Sequence, residues 1–151
     1  MDERPIETLV EVRVTNGPIH SPYPFPPASI DNAGAVIMFR GIVRPNEKSI
    51  DVEDLNAARE KPIEGLKYQV YQPMTTRELT RLAAAQAQRH GILAVDVDHS
   101  EGFVAAGECS FVLQVAGEHR DEAIRFIDEF IVEMKRQVPI WKVPRWQISR
   151  T

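Results

Sequence analysis

Five cationic residues carry the side chains best suited to chemistry in this chain: Arg44, His119, Arg120, Lys135 and Lys142. Cations of these types bind phosphate groups and stabilise negative charge that develops during a reaction. His119 and Arg120 stand at the start of an amphipathic segment, where the free backbone N–H groups of a helix also favour an anion. Together the five residues predict a binding site for an anionic ligand.

Each cation also has an ordinary structural interpretation. Lys135 follows the apolar residues Ile127 and Ile131 by eight and four positions, so it borders an apolar stripe along which its stem could lie. His119 could be a helix-cap residue, and an arginine in a strand, such as Arg44, usually faces solvent. The hypothesis of an anion site therefore depends on the group and not on any single member.

The middle of the segment 119–142 has the pattern of one amphipathic helix. Its apolar residues recur three and four positions apart, acidic residues open it, basic residues close it, and Pro139 ends it. In such a helix Lys135 lies about 24 Å beyond His119. A small ligand cannot contact both ends, so either the two clusters bind different ligands or a symmetric dimer brings opposite helix ends together. We favour the dimer.

The remaining segments predict an α+β fold. Residues 46–64 are polar without a period and predict a mobile loop, and residues 143–151 predict a short tail. Strands that pair as hairpins with helices on one face are typical of an α+β sandwich. The predicted strands cover 6–14, 34–45, 65–71, 92–102 and 108–118, with a short last strand over 145–149, and a second helix covers 73–90.

Three details of these elements have structural consequences. Thr75 and Glu78 fit a capping box, and Gly91 fits the end of the second helix. Gly41 would permit a β-bulge, without which the arginines at 40 and 44 point to one face of their strand. Cys109 lies within a predicted strand and is expected to be buried.

Composition limits the class of protein. With 151 residues, 43% of them hydrophobic and 26% charged, the chain fits one globular domain. The net charge of -4 argues against a general nucleic-acid binder. No apolar run approaches the roughly 18 residues of a membrane span, and the N-terminus does not resemble a signal peptide. The lone cysteine allows no intramolecular disulfide, which fits the cytoplasm.

Familiar metal and nucleotide motifs are not found in the sequence. The four histidines lack the spacing of a zinc site, and no glycine-rich phosphate loop occurs. No metal site is therefore predicted.

Four stretches resemble the large, catalytic subunit of molybdopterin synthase, in the same order and at similar spacing. They are GAVIMFRGIVR (34–44), YQVYQPMTTREL (68–79), the His119–Arg120 pair, and KRQVPIWK (135–142). The similarity extends over residues 6–142, and the last stretch is its most distinctive part.

The resemblance implies a single domain over residues 1–151 of the α/β-hammerhead type, with an antiparallel sheet, helices on one face, and a homodimer. It implies an enzyme, a sulfurtransferase of molybdenum cofactor biosynthesis. Each chain would bind a small ubiquitin-like sulfur-carrier subunit ending in Gly-Gly, giving a heterotetramer. The carrier's thiocarboxylate would convert cyclic pyranopterin monophosphate to the dithiolene of molybdopterin. No metal or organic cofactor, nucleic acid or membrane is expected to take part.

The resemblance also assigns roles to residues of this chain. Lys135 is the expected key catalytic residue and Lys142 the second. His119 and Arg120 would come from the opposite subunit. Family members usually carry an acidic residue shortly after the final lysine, where Val143 and Pro144 stand here. The expected substrate site comprises Ile42, Val43, Arg44, His119, Arg120, Lys135, Lys142, Val143 and Pro144.

Two other functions stay open from the residues alone. A non-catalytic dimeric module of the same fold would bind a ubiquitin-like protein tail or an anionic metabolite, although it would not need both lysines and the His–Arg pair. A different small-molecule transferase with the same anion pocket is the third possibility. A neighbouring short reading frame ending in Gly-Gly would favour the synthase over both.

Overall fold

The computed structural model describes residues 7–21, 24–25, 30–49 and 59–148. These residues form seven strands and two helices. In chain order they are β1 (Leu9–Asn16), β2 (Ala35–Ile42), β3 (Asn46–Ser49), β4 (Arg59–Val70), α1 (Met74–His90), β5 (Ala94–Ala105), β6 (Cys109–Gly117), α2 (Arg120–Gln137) and β7 (Ile140–Trp146).

Strand β5 has two sets of partners. Its first half lies between β1, which runs parallel to it, and β6, which runs antiparallel, and β2 pairs with the far side of β6. Its second half pairs with β4, which in turn pairs with β7 and β3. The change of partner coincides with Gly102, whose φ of 78° lies in the region that only glycine adopts freely. The predicted antiparallel sheet therefore contains one parallel pair, β1 with β5.

Both helices pack on one face of the sheet formed by β1, β5, β6 and β2. Burial of apolar side chains from the helices and this face drives their association. The buried residues of α2 are Ala123, Phe126, Phe130 and Met134, whereas Ile124, which the apolar pattern placed on the buried face, is 54% exposed. The opposing strand residues include Val95, Val97, Leu113 and Val115, all at most 1% exposed. The apolar pattern of the sequence therefore sets the rotation of α2 about its axis.

The other face of β5 is polar and yet buried. Asp96 pairs with Arg13 of β1, and the Thr15 hydroxyl donates to Asp98 at 2.6 Å. Burial raises the pKa of Asp96, and the hydrogen bond from Arg13 opposes that rise. The alternation of valine and aspartate along β5 thus separates an apolar face from a buried ionic face.

The register of β2 against β6 shifts at the bulge predicted for Gly41. Gly41 pairs with Phe111 but Ile42 pairs with Cys109, so Ser110 has no partner in β2. Such a shift changes the direction in which the following side chains point. Cys109 is buried, as predicted.

The predicted loop over 46–64 is wrong at both ends. Residues 46–49 form β3, and β4 already begins at Arg59. These strands pair with each other although their polar residues give no apolar alternation, because cross-strand pairing overrides local pattern. The middle of the predicted loop, 50–58, lies outside the described residues.

The predicted tail over 143–151 is also wrong in part. Residues 140–146 form β7 along the edge of β4, and Pro144 is tolerated there because an edge strand leaves one side of its backbone unpaired. Residues 149–151 lie outside the described residues.

The predicted capping box of α1 is wrong. The helix begins at Met74 without a side-chain cap, and Glu78 pairs instead with Arg81 at 2.7 Å. Thr75 is fully buried and accepts a hydrogen bond from the Tyr71 N–H at 2.9 Å. Its hydroxyl donates to the Pro139 carbonyl at 2.9 Å and so ties α1 to the turn between α2 and β7. Gly91 ends α1 in the left-handed conformation, as predicted.

Neither helix in the described part of the chain is long and apolar enough to cross a membrane.

Replacing Thr75 with valine is expected to destabilise the protein. The substitution keeps the side-chain shape but leaves the Tyr71 N–H and the Pro139 carbonyl without their buried partner, at a cost of about 1–3 kcal/mol. For a chain of this size that lowers Tm by about 2–4 °C per kcal/mol, measurable by thermal unfolding. Thr80→Val removes an exposed hydroxyl bonded only within α1 and is the matched control. Equal Tm values for the two variants would contradict the role assigned to Thr75.

Candidate active site

A cavity of about 480 Å³ opens where α2 ends, between the β2–β6 pair and the β4–β7 pair. Cavities of this size hold small-molecule ligands. Five residues predicted for the site line it: Ile42, Val43, Arg44, Lys135 and Lys142. The lining also includes apolar side chains, among them Phe39, Phe111 and Met134. The structure therefore brings together cations from three separate elements of the chain.

Two of these cations already have carboxylate partners. Lys142 on β7 lies 3.2 Å from Glu47 of β3, and Arg44 lies 3.1 Å from Glu60 of β4. Arg44, Glu60 and Lys142 are between 48% and 64% exposed and Glu47 is 21% exposed, so neither pair is fully buried and each contributes little to stability. An anionic ligand can replace such carboxylates because the exchange preserves the charge balance of the cations.

Lys135 differs from these two cations. It lies in the last turn of α2, next to the buried Met134, and is itself exposed. Across the described residues, no carboxylate lies within salt-bridge distance of its ammonium group. Its charge is therefore available to a ligand in the cavity.

Three polar residues that the sequence did not single out also line the cavity: Tyr68, His99 and Ser110. The Tyr68 hydroxyl donates to the Ser110 Oγ at 2.9 Å. His99 is only 5% exposed, and its Nδ1 lies 2.8 Å from the Ser100 carbonyl oxygen. Its ring meets the Tyr68 ring edge-on, with centroids 5.1 Å apart. These residues form a packed polar wall beside the cations.

Burial keeps both rings uncharged. It lowers the pKa of His99, and the hydrogen bond to the Ser100 carbonyl and the charge of Asp98 oppose that decrease. It raises the pKa of Tyr68, against the effect of its hydrogen bond with Ser110. The cavity therefore combines charged groups at its mouth with neutral polar groups on its wall.

His99 had a signal in the sequence pattern, whereas Ser110 did not. His99 shares the strand parity of Val95 and Val97, so it belongs to the apolar face, where a lone histidine is unusual. Ser110 adjoins Phe111, and only the register shift at Gly41 allows both to line one cavity. The position of His99 was available from the pattern, but that of Ser110 depends on strand pairing.

His119 and Arg120 lie at the other end of α2 and do not line the cavity. Their side chains are 77% and 84% exposed. His119 is the N-cap residue, and its backbone N–H donates to Glu122 at 2.6 Å. Within one chain the two cation clusters are therefore separate, in agreement with the distance calculated from the helix length.

Val143 and Pro144 are not among the residues lining the cavity. They follow Lys142 in β7 and pair with Lys67 and Leu66 of β4. Lys142 pairs with Tyr68, so the two residues on facing strands both reach the cavity.

Among the described residues, no cluster of three or more histidine, cysteine or acidic side chains is arranged to bind a metal ion.

The family model and the relatives that match this chain point to the same protein family. The family model described as "MoaE protein" matches residues 24–137. The molybdopterin synthase catalytic subunit of Coccidioides immitis is 34% identical over 110 residues, which cover 73% of this chain and 50% of that protein. The chain thus spans about half the length of this relative.

Solved structures similar to this chain share its fold. One is molybdopterin synthase from Staphylococcus aureus, with a TM-score of 0.67 and 22% identity, covering 90% of this chain and 91% of that one. Another is the complex of subunits 1 and 2 of the molybdopterin-converting factor from Helicobacter pylori, with a TM-score of 0.63 and 22% identity, covering 93% and 92%. This likeness confirms the predicted α+β class.

The buried His99 is expected to make stability decrease in acid. Its pKa in the folded chain lies below its value of about 6.5 in the unfolded chain. As pH falls below that value, the unfolded chain binds a proton that the folded chain excludes, so the free energy of unfolding decreases. His99→Gln should therefore lose less Tm than the wild type between about pH 7.5 and about pH 5.5.

Phe111→Leu is the control for this measurement, because it changes packing on the His99 ring without removing a titrating group. It should keep the wild-type dependence on pH. If His99→Gln and the wild type lost the same Tm, the linkage of His99 protonation to unfolding would be refuted.

Proposed function

Because this chain belongs to the MoaE protein family, we propose that it is the catalytic subunit of a molybdopterin synthase. In this proposal it transfers sulfur from the C-terminal thiocarboxylate of a small carrier protein to cyclic pyranopterin monophosphate. Two such transfers produce the dithiolene of molybdopterin. The reaction belongs to molybdenum cofactor biosynthesis and takes place in the cytoplasm.

The observation that carries the proposal is the convergence of Arg44, Lys135 and Lys142 on one cavity. The substrate is a phosphate ester, and three cations suit both its recognition and the neutralisation of charge during sulfur transfer. The apolar side chains of the same cavity suit the flat pterin ring. Arg44 and Lys142 would exchange their carboxylate partners for the phosphate.

Each transfer needs a nucleophile and a proton relay. The carrier's thiocarboxylate sulfur forms a bond to a substrate carbon as a C–O bond at that carbon breaks, and the oxygen leaves on the phosphate or as water. Water then cleaves the acyl–sulfur bond, which leaves the sulfur on the substrate and releases the carrier as a carboxylate. Lys135 has no carboxylate partner in the described part of the chain, and in this proposal it stabilises the developing oxyanion and passes a proton. Lys142 on β7 would hold the substrate.

The sulfur donor is proposed to be a small ubiquitin-like subunit ending in Gly-Gly. The similar structure from Helicobacter pylori is a complex of two subunits, which supports a small partner for this chain. The narrow C-terminal tail of this partner would enter the cavity beside Lys135.

The complete site is proposed to need two copies of this chain. His119 and Arg120 are exposed cations about 24 Å from Lys135 along α2, too far for one small ligand to contact both. In a symmetric dimer the start of one α2 can lie near the end of the other. Two carriers on such a dimer give a heterotetramer.

Reconstitution tests the proposed activity. Wild-type protein, thiocarboxylated carrier and cyclic pyranopterin monophosphate should yield molybdopterin, detected as its fluorescent oxidised derivative. Lys135→Ala should lower the rate by about 100-fold or more, because it removes the proton-transferring group. Lys142→Ala should raise KM by about 10- to 100-fold through loss of a charged hydrogen bond.

Lys67→Ala is the matched control, because Lys67 is an exposed lysine on β4 that does not line the cavity. It should retain wild-type activity. Carrier binding without product in the wild type would favour the non-catalytic module, and the absence of both would refute the proposal.

Complementation tests the shared site. Lys135→Ala and Arg120→Ala proteins, each inactive alone, are mixed and allowed to exchange subunits. Each mixed dimer then has one intact site, so about one quarter of wild-type activity should return. Activity is measured by the same fluorescence assay.

A mixture of Lys135→Ala with Lys142→Ala is the control, because both residues line the same chain's cavity. That mixture should show no activity beyond the sum of the two variants assayed separately. Equal recovery in both mixtures, or recovery in neither, would contradict a site shared in this way.

A further inference from the structure

His99 is a buried polar residue of the cavity to which the proposed sulfur transfer gives no role. It lines the cavity, yet its ring packs against Tyr68 and Phe111. A hydrogen bond to the Ser100 carbonyl oxygen fixes the ring. A polar ring buried in this way stays in place only if its nitrogens find partners.

The hydrogen bond of Nδ1 determines which ring nitrogen carries the proton. The partner is the Ser100 carbonyl oxygen at 2.8 Å, which can only accept, so Nδ1 must be the donor. In the neutral ring Nε2 then has a free lone pair. Contact with the Tyr68 ring at 5.1 Å and the Phe111 ring at 5.8 Å holds the imidazole in this orientation.

The imidazole stays neutral in its surroundings. Burial lowers the pKa of His99, and this effect outweighs the opposing effects of the hydrogen bond to the Ser100 carbonyl and the charge of Asp98. Among the described residues, the anion that acts on the ring is Asp98, next in the strand, and Glu47 in the cavity lining is paired with Lys142. Nε2 is therefore an acceptor at neutral pH.

The neutral side chains of the wall offer a ligand what the cations cannot. Arginine and lysine offer donors only. The Tyr68 and Ser110 oxygens keep lone pairs although their hydroxyls are hydrogen-bonded to each other, and His99 Nε2 is the ring-nitrogen acceptor beside them. A ligand that carries phosphate oxygens therefore meets donors in the cations. If it also carries ring N–H groups, it meets an acceptor for them in His99 Nε2 on this wall.

We propose that His99 Nε2 accepts a hydrogen bond from an N–H group of the substrate's pterin ring and thereby selects for a pterin. This inference rests on the proposed function. Binding sites that hydrogen-bond a ligand group discriminate strongly against ligands that lack it, because the buried partner is otherwise left unpaired. His99 is thus a specificity-determining residue, and the cations supply affinity for the phosphate.

Two substitutions separate this role from a structural one. The amide oxygen of glutamine reaches the position of Nε2, whereas the amide nitrogen of asparagine reaches only that of Nδ1. His99→Gln therefore keeps an acceptor towards the cavity, and His99→Asn keeps the bond to Ser100 but removes that acceptor. A purely structural role predicts that His99→Asn is the better replacement.

The test is calorimetric binding of cyclic pyranopterin monophosphate and, separately, of inorganic phosphate to the full chain. His99→Asn should weaken binding of the pterin by about 10-fold, as expected for an unpaired ring donor, and leave phosphate binding unchanged. His99→Gln should stay within about 3-fold of the wild type. Equal pterin binding by the wild type and His99→Asn, or equal losses for both ligands, would overturn the proposal.

A measurement on the wild type keeps the proposal testable if a variant fails to fold. The ¹⁵N resonance of the unprotonated His99 nitrogen should move upfield on addition of the pterin substrate, but not on addition of inorganic phosphate. An unchanged resonance would overturn the role of His99. Reconstitution run in parallel separates the two proposals: product from the wild type with no His99 effect refutes only this inference, whereas pterin binding without product refutes only the catalytic function.

Discussion

Burial of one face of α2 is the constraint on which the site depends. Phe126 and Phe130 are fully buried against the sheet, so the helix cannot rotate or slide without exposing large apolar surfaces. That fixed position places Lys135, one residue beyond the buried Met134, at the mouth of the cavity. The same rigid helix holds His119 about 24 Å away, so a site that uses both ends must be shared between two chains.

The charged groups of the cavity come from elements that are distant in sequence and become neighbours only in the folded chain. Arg44 follows β2, Lys142 lies on β7, and Lys135 ends α2, while Glu47 on β3 neutralises part of their charge. Such counter-ions stabilise the empty site at little cost, because exposed pairs are weak and exchange readily. Beneath them, burial keeps Tyr68 and His99 neutral. The site thus pairs charge recognition at its mouth with directional hydrogen bonding on its wall.

Strand β5 connects the helical layer to the cavity. In its first half, Val95 and Val97 pack against the helices. On the opposite face, Asp96 and Asp98 bind Arg13 and Thr15 of β1. Its second half joins β4, whose Tyr68 contacts His99. Because one continuous strand takes part in both sheets, the position of the cavity wall relative to α2 is fixed by backbone hydrogen bonds and not by side chains alone.

Local pattern by itself determined the helix within 119–142, the predicted strands of the core and the cations at Arg44, Lys135 and Lys142, since apolar period and residue type are properties of short segments. It failed for β3 and β7, whose strands are held by pairing along β4 without a strong apolar alternation. The tertiary structure alone decided that Ser110 and His99 share the cavity with the lysines and that Val143 and Pro144 do not line it. These outcomes depend on the register shift at Gly41 and on which strands become neighbours, and such long-range pairings are not encoded in any one segment.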